Sequence, residues 1–441
     1  MSFGIVLAGT LLVELLVLRR LRFDKFVVAI VLAGTLVYVN YLGVTSLAER
    51  NVDGPSHAQY VRLVAERLRL PDVSACGACA HPPLYYSLAA LWSGAVGAGG
   101  WISFELALQW LSLLLFFGFV VVALLIFRSS FGTPGPLWLA TALVVFWPSS
   151  IINSVRVHND ALAAPLMLAA IYFTAQWDRY GRARDFAAAL AVAALALLAK
   201  STGYATAALL VLVTLLRLRE NGWRRDDLQR SVGALLVFAA VGLFATGIRE
   251  SAEPRTACQA VLGHACRGRY VPPVPDSPAR FVFFDLPGFV RGSDALTDAP
   301  ERDYFLNRLA SSSLFGVAAL EAEFASKRHV TLAVAIRALL LLMLALCAVA
   351  LPFLRGLAWR KHRVYVAAAA VLFLFVLAFR IRLPNPHHED FRHVFPALVP
   401  FCLGYAGIVQ RLGRVRPLLR TLGSALGLSL ALASVAFFAQ P

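Results

Sequence analysis

Long apolar runs alternate with short basic segments along most of this chain. Twelve of these runs approach the roughly 17 to 25 residues that an α-helix needs to cross a bilayer. They lie at about 2–18, 26–46, 102–127, 136–150, 161–177, 186–199, 201–218, 231–248, 331–354, 364–380, 396–411 and 421–438. The pattern predicts an all-α polytopic membrane protein with about twelve transmembrane helices in a single domain spanning residues 1–441.

The positions of the basic residues predict the orientation. If the chain begins outside, one set of basic segments falls on the same side, which is then cytoplasmic by the positive-inside rule. These segments are 19–25, 128, 179–184, 217–230, 355–363 and 411–420. The apolar run from Phe186 to Leu216 could form one long tilted helix or two short ones around Lys200, but a single helix would invert every later loop. We therefore predict two helices there, and large outer loops at 47–83 and 249–330.

Composition agrees with a membrane protein. Hydrophobic residues make up 59% of the chain, charged residues only 15%, and the mean hydropathy is +0.70, which excludes an ordinary soluble domain. The net charge of +16 follows from the cytoplasmic loops, so a nucleic-acid partner is not needed to explain it. The first run lacks a preceding basic region, and Arg19, Arg20 and Arg22 follow it. It therefore reads as a retained helix and not a signal peptide. We expect a structural role for Glu14 inside it, facing a neighbouring helix or the interface.

The cysteines divide between loops and helices. Cys76 and Cys79 lie in the first outer loop and Cys258 and Cys266 in the second, while Cys347 and Cys402 lie inside predicted helices. Even numbers in outer loops favour disulfides in an oxidising compartment. A zinc site that uses these loop cysteines, with His81 or His264, and unpaired thiols are the alternatives.

A polar interruption from Asp53 to Tyr86 is the most informative segment. Asp53 follows the second span, near the outer headgroup plane, where it could act as a general base or simply cap the next helix. The run HAQYVRLVAERLRL (57–70) suits a helix that lies flat in the interface. In the turn HPPLYY (81–86), His81 could contact a phosphate or play a structural role.

Three further polar segments are expected at the same outer face. They are RVHND (156–160), KST (200–202) and the charged group from Arg380 to His393, which includes His387, His388, Glu389, Asp390 and Arg392. Each side chain taken singly is explained by solvation or snorkelling. Their common depth on one face instead indicates a functional site.

These segments together resemble the C-type (GT-C) glycosyltransferases. An acid at the start of the first outer loop, an interfacial helix and the HPPLYY turn are similar to glycosyltransferase family 39, which includes protein O-mannosyltransferases and the lipid A aminoarabinose transferase. Matching elements are RVHND, NRLASSSLFG (307–316) and FRH (391–393). The resemblance implies inverting transfer of a sugar from a polyprenyl-phosphate donor to a lipid, glycan or protein acceptor, on the non-cytoplasmic face of a membrane. The membrane it implies is a bacterial inner membrane, with the active site facing the periplasm.

The resemblance also implies roles for individual residues. Asp53 would be the catalytic base and Asp160 the second acid. The donor phosphate would be bound by His81, Arg392, Lys200 and Arg156, and the substrate would be contacted by His57, Tyr85 and His393. Gly54 follows Asp53 where many relatives carry a second acid, which disfavours a metal site, so no cofactor is expected to be required. The loop 249–330 would recognise the acceptor.

Two other functions remain open. An O-antigen-ligase-like transferase would use a diphosphate-linked donor and rely on arginine and histidine, for which the group 380–393 is suited; it would retain activity after Asp53→Ala. A transporter or flippase would carry acids and broken helices near the bilayer midplane and internal inverted repeats. The ionisable residues gather at the outer rim and no repeat is visible, so transport is the less favoured function.

Overall fold

The computed structural model of the protein describes residues 2–45, 53–97, 102–220, 225–247, 278–291, 304–316, 326–350, 359–382 and 390–439. Eighteen α-helices form the described part. They are α1 Ser2–Arg20, α2 Lys25–Val44, α3 Gly54–Arg67, α4 Leu84–Gly97, α5 Phe104–Ser130, α6 Pro134–Phe146, α7 Pro148–Ser154, α8 Asp160–Tyr180, α9 Ala183–Ala199, α10 Tyr204–Glu220, α11 Arg225–Gly247, α12 Ala279–Val282, α13 Leu286–Arg291, α14 Phe305–Phe315, α15 Lys327–Ala350, α16 Trp359–Arg382, α17 Leu398–Val415 and α18 Pro417–Phe438. Two 3₁₀-helices, Ser201–Gly203 and Phe391–Ala397, join α9 to α10 and lead into α17.

The all-α polytopic membrane architecture is confirmed. The described residues contain no β-strand, and every predicted apolar run coincides with a helix or with the bent pair α6 and α7. By length and composition, seven described helices can cross a membrane, or eight if the pair bent by 57° forms one span. The total of twelve spans stays a prediction.

The chain breaks at Lys200, as predicted. α9 ends at Ala199 and the 3₁₀-helix Ser201–Gly203 reverses the chain into α10. A Cβ atom at Gly203 would lie 2.6 Å from the backbone nitrogen of Leu197, so the two helices approach closely only because this residue is glycine.

One end of the helix array gathers the basic loops. Arg128 donates to the carbonyl of Leu21 at 2.6 Å, Lys361 donates to the carbonyl of Ser130 at 2.7 Å, and the Nε of Arg363 donates to Asp178 at 2.7 Å. These contacts join loops that the sequence places on one side of the membrane. The array therefore has a basic end, and the site described below lies at the opposite end.

The first outer loop forms a small packed unit at that opposite end. α3 and α4 pack together through Tyr60 and Tyr86, whose ring centroids lie 3.7 Å apart. α4 is apolar but has only 14 residues, too few to cross a bilayer. Between the helices, Cys76 and Cys79 form a disulfide, as the cysteine placement predicted for the outer loops. Cys258, Cys266 and His264 lie outside the described residues.

Glu14 faces the neighbouring helix α2. Its side chain is buried, and the hydroxyl of Thr35 donates to its two carboxyl oxygens at 2.9 Å and 2.8 Å. The expected structural contact with an adjacent helix is confirmed.

The large loop 249–330 contributes a helix to the site end. Within the described residues of this loop, α14 begins at Phe305. The indole of Trp147 donates to the carbonyl of Ser313 at 2.6 Å, and the backbone N–H of Phe391 donates to the hydroxyl of Ser312 at 2.9 Å. α14 is thereby fixed against the segment that carries Arg392.

Candidate active site

Four distant segments bring their charged side chains together at the end opposite to the basic loops. We call this group the acid–base cluster. It consists of Asp53, His57, Arg156, His158, Asp160, Lys200, Asp390, Arg392 and His393. Helix termini and the short turns between helices place all of these side chains. The cluster therefore combines segments that are far apart in sequence.

Asp53 pairs with Arg392 instead of capping its helix. It occupies the position before α3, and its backbone carbonyl accepts from the N–H groups of Ser56 and His57, but its side chain makes no capping bond. The carboxylate instead accepts a hydrogen bond from Nη2 of Arg392 at 2.8 Å. The geometry therefore favours a role for Asp53 in the charged site over a role as a helix cap.

Arg392 is held by a second acid, Asp390, which the sequence alone does not identify as its partner. Asp390 precedes the 3₁₀-helix Phe391–Ala397, and its carboxylate accepts from the backbone N–H of Arg392 at 3.0 Å. The same carboxylate lies 3.2 Å from Nε of the Arg392 side chain. A capping acid two residues before a functional arginine is the sequence signal that could have found it.

Asp160 and Lys200 form a buried ion pair. Asp160 opens α8, Lys200 follows α9, and Nζ of Lys200 lies 2.6 Å from both carboxylate oxygens. Nζ also lies 3.2 Å from Nδ1 of His393. Both charged residues are less than a tenth exposed. Lys200, predicted to contact a donor phosphate, thus contacts an acid and a histidine of the protein.

Three histidines lie side by side next to Asp53. The rings of His57 and His81 are stacked with centroids 5.5 Å apart, and His158 lies 6.5 Å from His57. Nδ1 of His57 is 2.7 Å from the hydroxyl of Tyr86. Tyr85, predicted to contact substrate, is fully buried in a hydrophobic cluster that joins the first outer loop to α5 and α8, and its neighbour Tyr86 makes the contact with His57.

Electrostatics keep Asp53 ionised. Partial burial alone would raise the pKa of Asp53, but the charge and hydrogen bond of Arg392, together with His57 and Arg156, lower that pKa well below its ordinary value. At neutral pH this group is a carboxylate held by a guanidinium.

The same surroundings keep two histidines neutral. Burial is the main cause that lowers the pKa of His57 well below its ordinary value, and the neighbouring His81 and His158 add to it. Burial also lowers the pKa of His158, helped by the positive charges of Arg156, Arg392 and Lys200. Both rings are therefore uncharged at neutral pH, able to donate and accept hydrogen bonds.

A small cavity opens beside the cluster. Its polar lining consists of Asn153, His158, Asp160 and Arg392, and its apolar lining consists of Phe116, Phe119, Ala161, Ala164, Pro165 and Phe395. The Nε2 atom of His158 and the Nε atom of Arg156 are buried without a hydrogen-bond partner among the described residues. Buried polar atoms of this kind favour a polar ligand that would satisfy them.

A divalent metal is not favoured by this arrangement. Within the described residues, no three His, Cys, Asp or Glu side chains lie close enough to hold a metal ion. Asp53 and Asp160 already have arginine and lysine partners. That no metal is required stays a prediction.

Comparison with solved structures identifies the fold. The chain superposes on oligosaccharyltransferase from Archaeoglobus fulgidus, in its complex with Zn and sulfate, with a TM-score of 0.52 and 13% identity over 93% of this chain and 53% of that one. The chain has a GT-C-like fold. It spans about half the length of the archaeal enzyme. At this identity the likeness shows the fold alone.

A second GT-C-like structure matches less closely. ArnT from Cupriavidus metallidurans, bound to undecaprenyl phosphate, gives a TM-score of 0.42 and 18% identity over 88% of this chain and 78% of that one. No protein-family model matches the chain, and no curated protein sequence matches it.

Proposed function

We propose that the protein transfers a sugar from a polyprenyl-phosphate donor to an acceptor on the non-cytoplasmic face of the membrane, with inversion at the anomeric carbon and Asp53 as the base. The observation that carries the proposal is the contact between Asp53 and Arg392 at the cavity lined by Arg392, His158 and Asp160. It lies at the end opposite to the basic loops, in a chain with a GT-C-like fold.

The geometry supplies the two charges that such a transfer needs. The acceptor oxygen attacks the anomeric carbon while Asp53 takes its proton, and the bond from that carbon to the phosphate oxygen breaks. Arg392 and Arg156 stabilise the negative charge that grows on the departing lipid phosphate, because fixed cations act most strongly where water is excluded. The phenylalanines of the cavity suit the start of a prenyl chain.

The charge balance of the acid–base cluster favours a donor with one phosphate over a donor with two. Its carboxylates are Asp53, Asp160 and Asp390, and its permanent cations are Arg156, Lys200 and Arg392, so three charges of each sign are present among the described residues. Two of the cations are already engaged by carboxylates at hydrogen-bond distance. A diphosphate-linked donor, as for an O-antigen-ligase-like transferase, would add more uncompensated negative charge to this balanced group than a donor with a single phosphate.

A direct assay tests the proposed reaction. Purified protein is incubated with a panel of radiolabelled polyprenyl-phosphate sugars and a membrane extract, and the label is then separated into lipid, glycan and protein fractions. Transfer of label from one of these donors supports the proposal and names the acceptor class. Transfer only from diphosphate-linked donors would favour the ligase-like function instead.

The base is tested by replacing its carboxylate. Asp53→Asn keeps the size of the side chain but removes the proton acceptor, so the transfer rate should fall by about 100-fold or more. Asp72→Asn is the matched control, because Asp72 is an exposed acid in the same outer loop; it should retain the wild-type rate. Wild-type transfer by Asp53→Asn, with both variants equally well folded, would refute Asp53 as the base.

A further inference from the structure

Arg392 touches two carboxylates that differ in how firmly they are held. The Asp390 side chain is 3% exposed; it accepts a hydrogen bond from the backbone N–H of Arg392 and forms an ion pair with the Arg392 side chain. The Asp53 side chain is 44% exposed and belongs to a different element, the start of α3. The contact with Asp390 is therefore built into the turn, whereas the contact with Asp53 is the one that can be exchanged.

The contact with Asp53 conflicts with the chemistry assigned to both residues. A carboxylate held 2.8 Å from a guanidinium is a weak proton acceptor, because protonation would forfeit the ion pair. A guanidinium that is occupied by two carboxylates has less capacity left for a phosphate. Arg392 also lines the cavity in which the donor phosphate is proposed to bind.

We propose that the donor phosphate displaces Asp53 from Arg392, so that the base becomes available only after the donor has bound. This inference rests on the proposed function. Asp390 keeps Arg392 in place during the exchange, and Arg392 turns from the half-exposed carboxylate to the phosphate in the cavity. The freed Asp53 then takes the proton of the acceptor.

The bonds, the electron pair and the proton are all accounted for over one turnover that includes the exchange. The acceptor oxygen forms its bond to the anomeric carbon, the bond from that carbon to the phosphate oxygen breaks, and the electron pair stays on the phosphate held by Arg392. The acceptor proton moves to Asp53. When the lipid phosphate leaves, Arg392 returns to Asp53, and the ion pair favours loss of the proton from this half-exposed group to water. Donor binding before acceptor binding follows from this sequence.

A binding measurement tests the exchange without requiring turnover. The probe is undecaprenyl phosphate without a sugar, and its dissociation constant is measured with purified protein in detergent. In the wild type, the phosphate must compete with Asp53 for Arg392. Asp53→Asn removes the competitor, so this inactive variant should bind undecaprenyl phosphate about threefold to tenfold more tightly than the wild type.

Two control variants separate exchange from simple relief of negative charge. In an Arg392→Gln background, Asp53→Asn should give no gain in affinity, whereas charge relief alone would persist there. Asp390→Asn removes the other carboxylate from the same guanidinium but leaves Asp53 in place. It should bind undecaprenyl phosphate no more tightly than the wild type, and this comparison remains decisive if Arg392→Gln does not fold.

The outcomes distinguish the inference from the function on which it rests. Unchanged or weaker binding by Asp53→Asn, with tight binding by the wild type, overturns the exchange while the proposed transfer stands. An equal gain from Asp53→Asn and Asp390→Asn also overturns it. If the wild type binds no undecaprenyl phosphate and uses no polyprenyl-phosphate sugar, the proposed function fails and the exchange fails with it.

Discussion

The ion pair between Lys200 and Asp160 places two charges in a site almost closed to water. Their atoms lie 2.6 Å apart, and each residue is less than a tenth exposed. Removing one partner leaves the other charge buried without compensation, which typically costs about 3 to 5 kcal/mol. We therefore expect Lys200→Met to lower the melting temperature of the purified protein markedly.

The double variant Lys200→Met/Asp160→Asn provides the control for this prediction. It removes both charges, so most of the lost stability should return even though Asp160 is absent. A Lys200→Met protein as stable as the wild type would contradict a structural role for the pair.

His57 and His158 make stability depend on pH. Burial lowers the pKa of each ring below its ordinary value near 6.5, so the unfolded chain binds protons that the folded protein excludes. The contribution of the two neutral rings to the free energy of unfolding is therefore fully present above about pH 6.5. It falls as the pH drops below that value, by up to about 1.4 kcal/mol per pH unit for each histidine. Melting temperatures recorded between pH 8 and pH 5 measure this slope.

Replacing His57 and His158 isolates their contribution to the pH dependence of stability. A His57→Gln/His158→Gln variant should show a shallower fall in melting temperature over the same range. The folded-state pKa of Asp53 is also lowered, but its contribution is lost only below the ordinary pKa of aspartate, near 4. An equally steep slope in the double variant would mean that other groups cause it.

The sequence supplied the candidate residues, but it could not pair them. Asp53 and Arg392 are 339 positions apart, and no local pattern indicates that their side chains meet. The amphipathic helix after Asp53 even favoured a capping role, since acids are common at that position. The contact between Lys200 and Asp160 likewise depends on how α8 and α9 pack, which no local sequence pattern indicates.

At the scale of elements, the apolar runs predicted helices well because every backbone polar group inside a bilayer must be satisfied within its own segment. The apolar pattern does not predict the bend between α6 and α7. The apolar run 136–150 predicts one span, but the structure bends the chain by 57° between α6 and α7, where Pro148 begins the second helix. Proline cannot donate the hydrogen bond that would continue α6.

The packing of α2 against α6 depends on a glycine. A Cβ atom at Gly34 would lie 2.2 Å from Cγ1 of Val145, and a β-branched valine has little freedom to move aside. Gly34→Ala should therefore destabilise the protein by about 1 to 3 kcal/mol through overpacking. The melting temperature of the purified variant measures this effect.

Gly43 lies in the same helix and provides the matched control. A Cβ atom there would meet no atom within 4 Å, and alanine is the better helix former. Gly43→Ala should leave the melting temperature unchanged or raise it slightly. Equal losses in both variants would mean that helix flexibility, and not close packing, requires the glycines.

At the scale of the whole molecule, the charged contacts form two groups, one at each end of the helix array. Asp178 bonds Arg363 at the basic end, whereas Asp53 bonds Arg392 at the opposite end. This grouping is what the basic residues predict, since successive loops alternate between the two ends of the array. A single helix through Lys200 would have moved every later loop to the other end. The structure thus agrees with the predicted order of spans, while the side of the membrane that each end faces stays a prediction.

Cysteine labelling tests which end faces outward. Leu68 follows α3 at the site end and is 89% exposed, and the Arg184 side chain in α9 at the basic end is 76% exposed. In a background with Cys258 and Cys266 replaced by serine, a membrane-impermeant maleimide should label Leu68→Cys in intact cells and Arg184→Cys only after permeabilisation. The positive-inside rule requires this order, because the basic loops stay in the cytoplasm. The reverse order would place the cluster in the cytoplasm, where a base that serves an outer acceptor could not act.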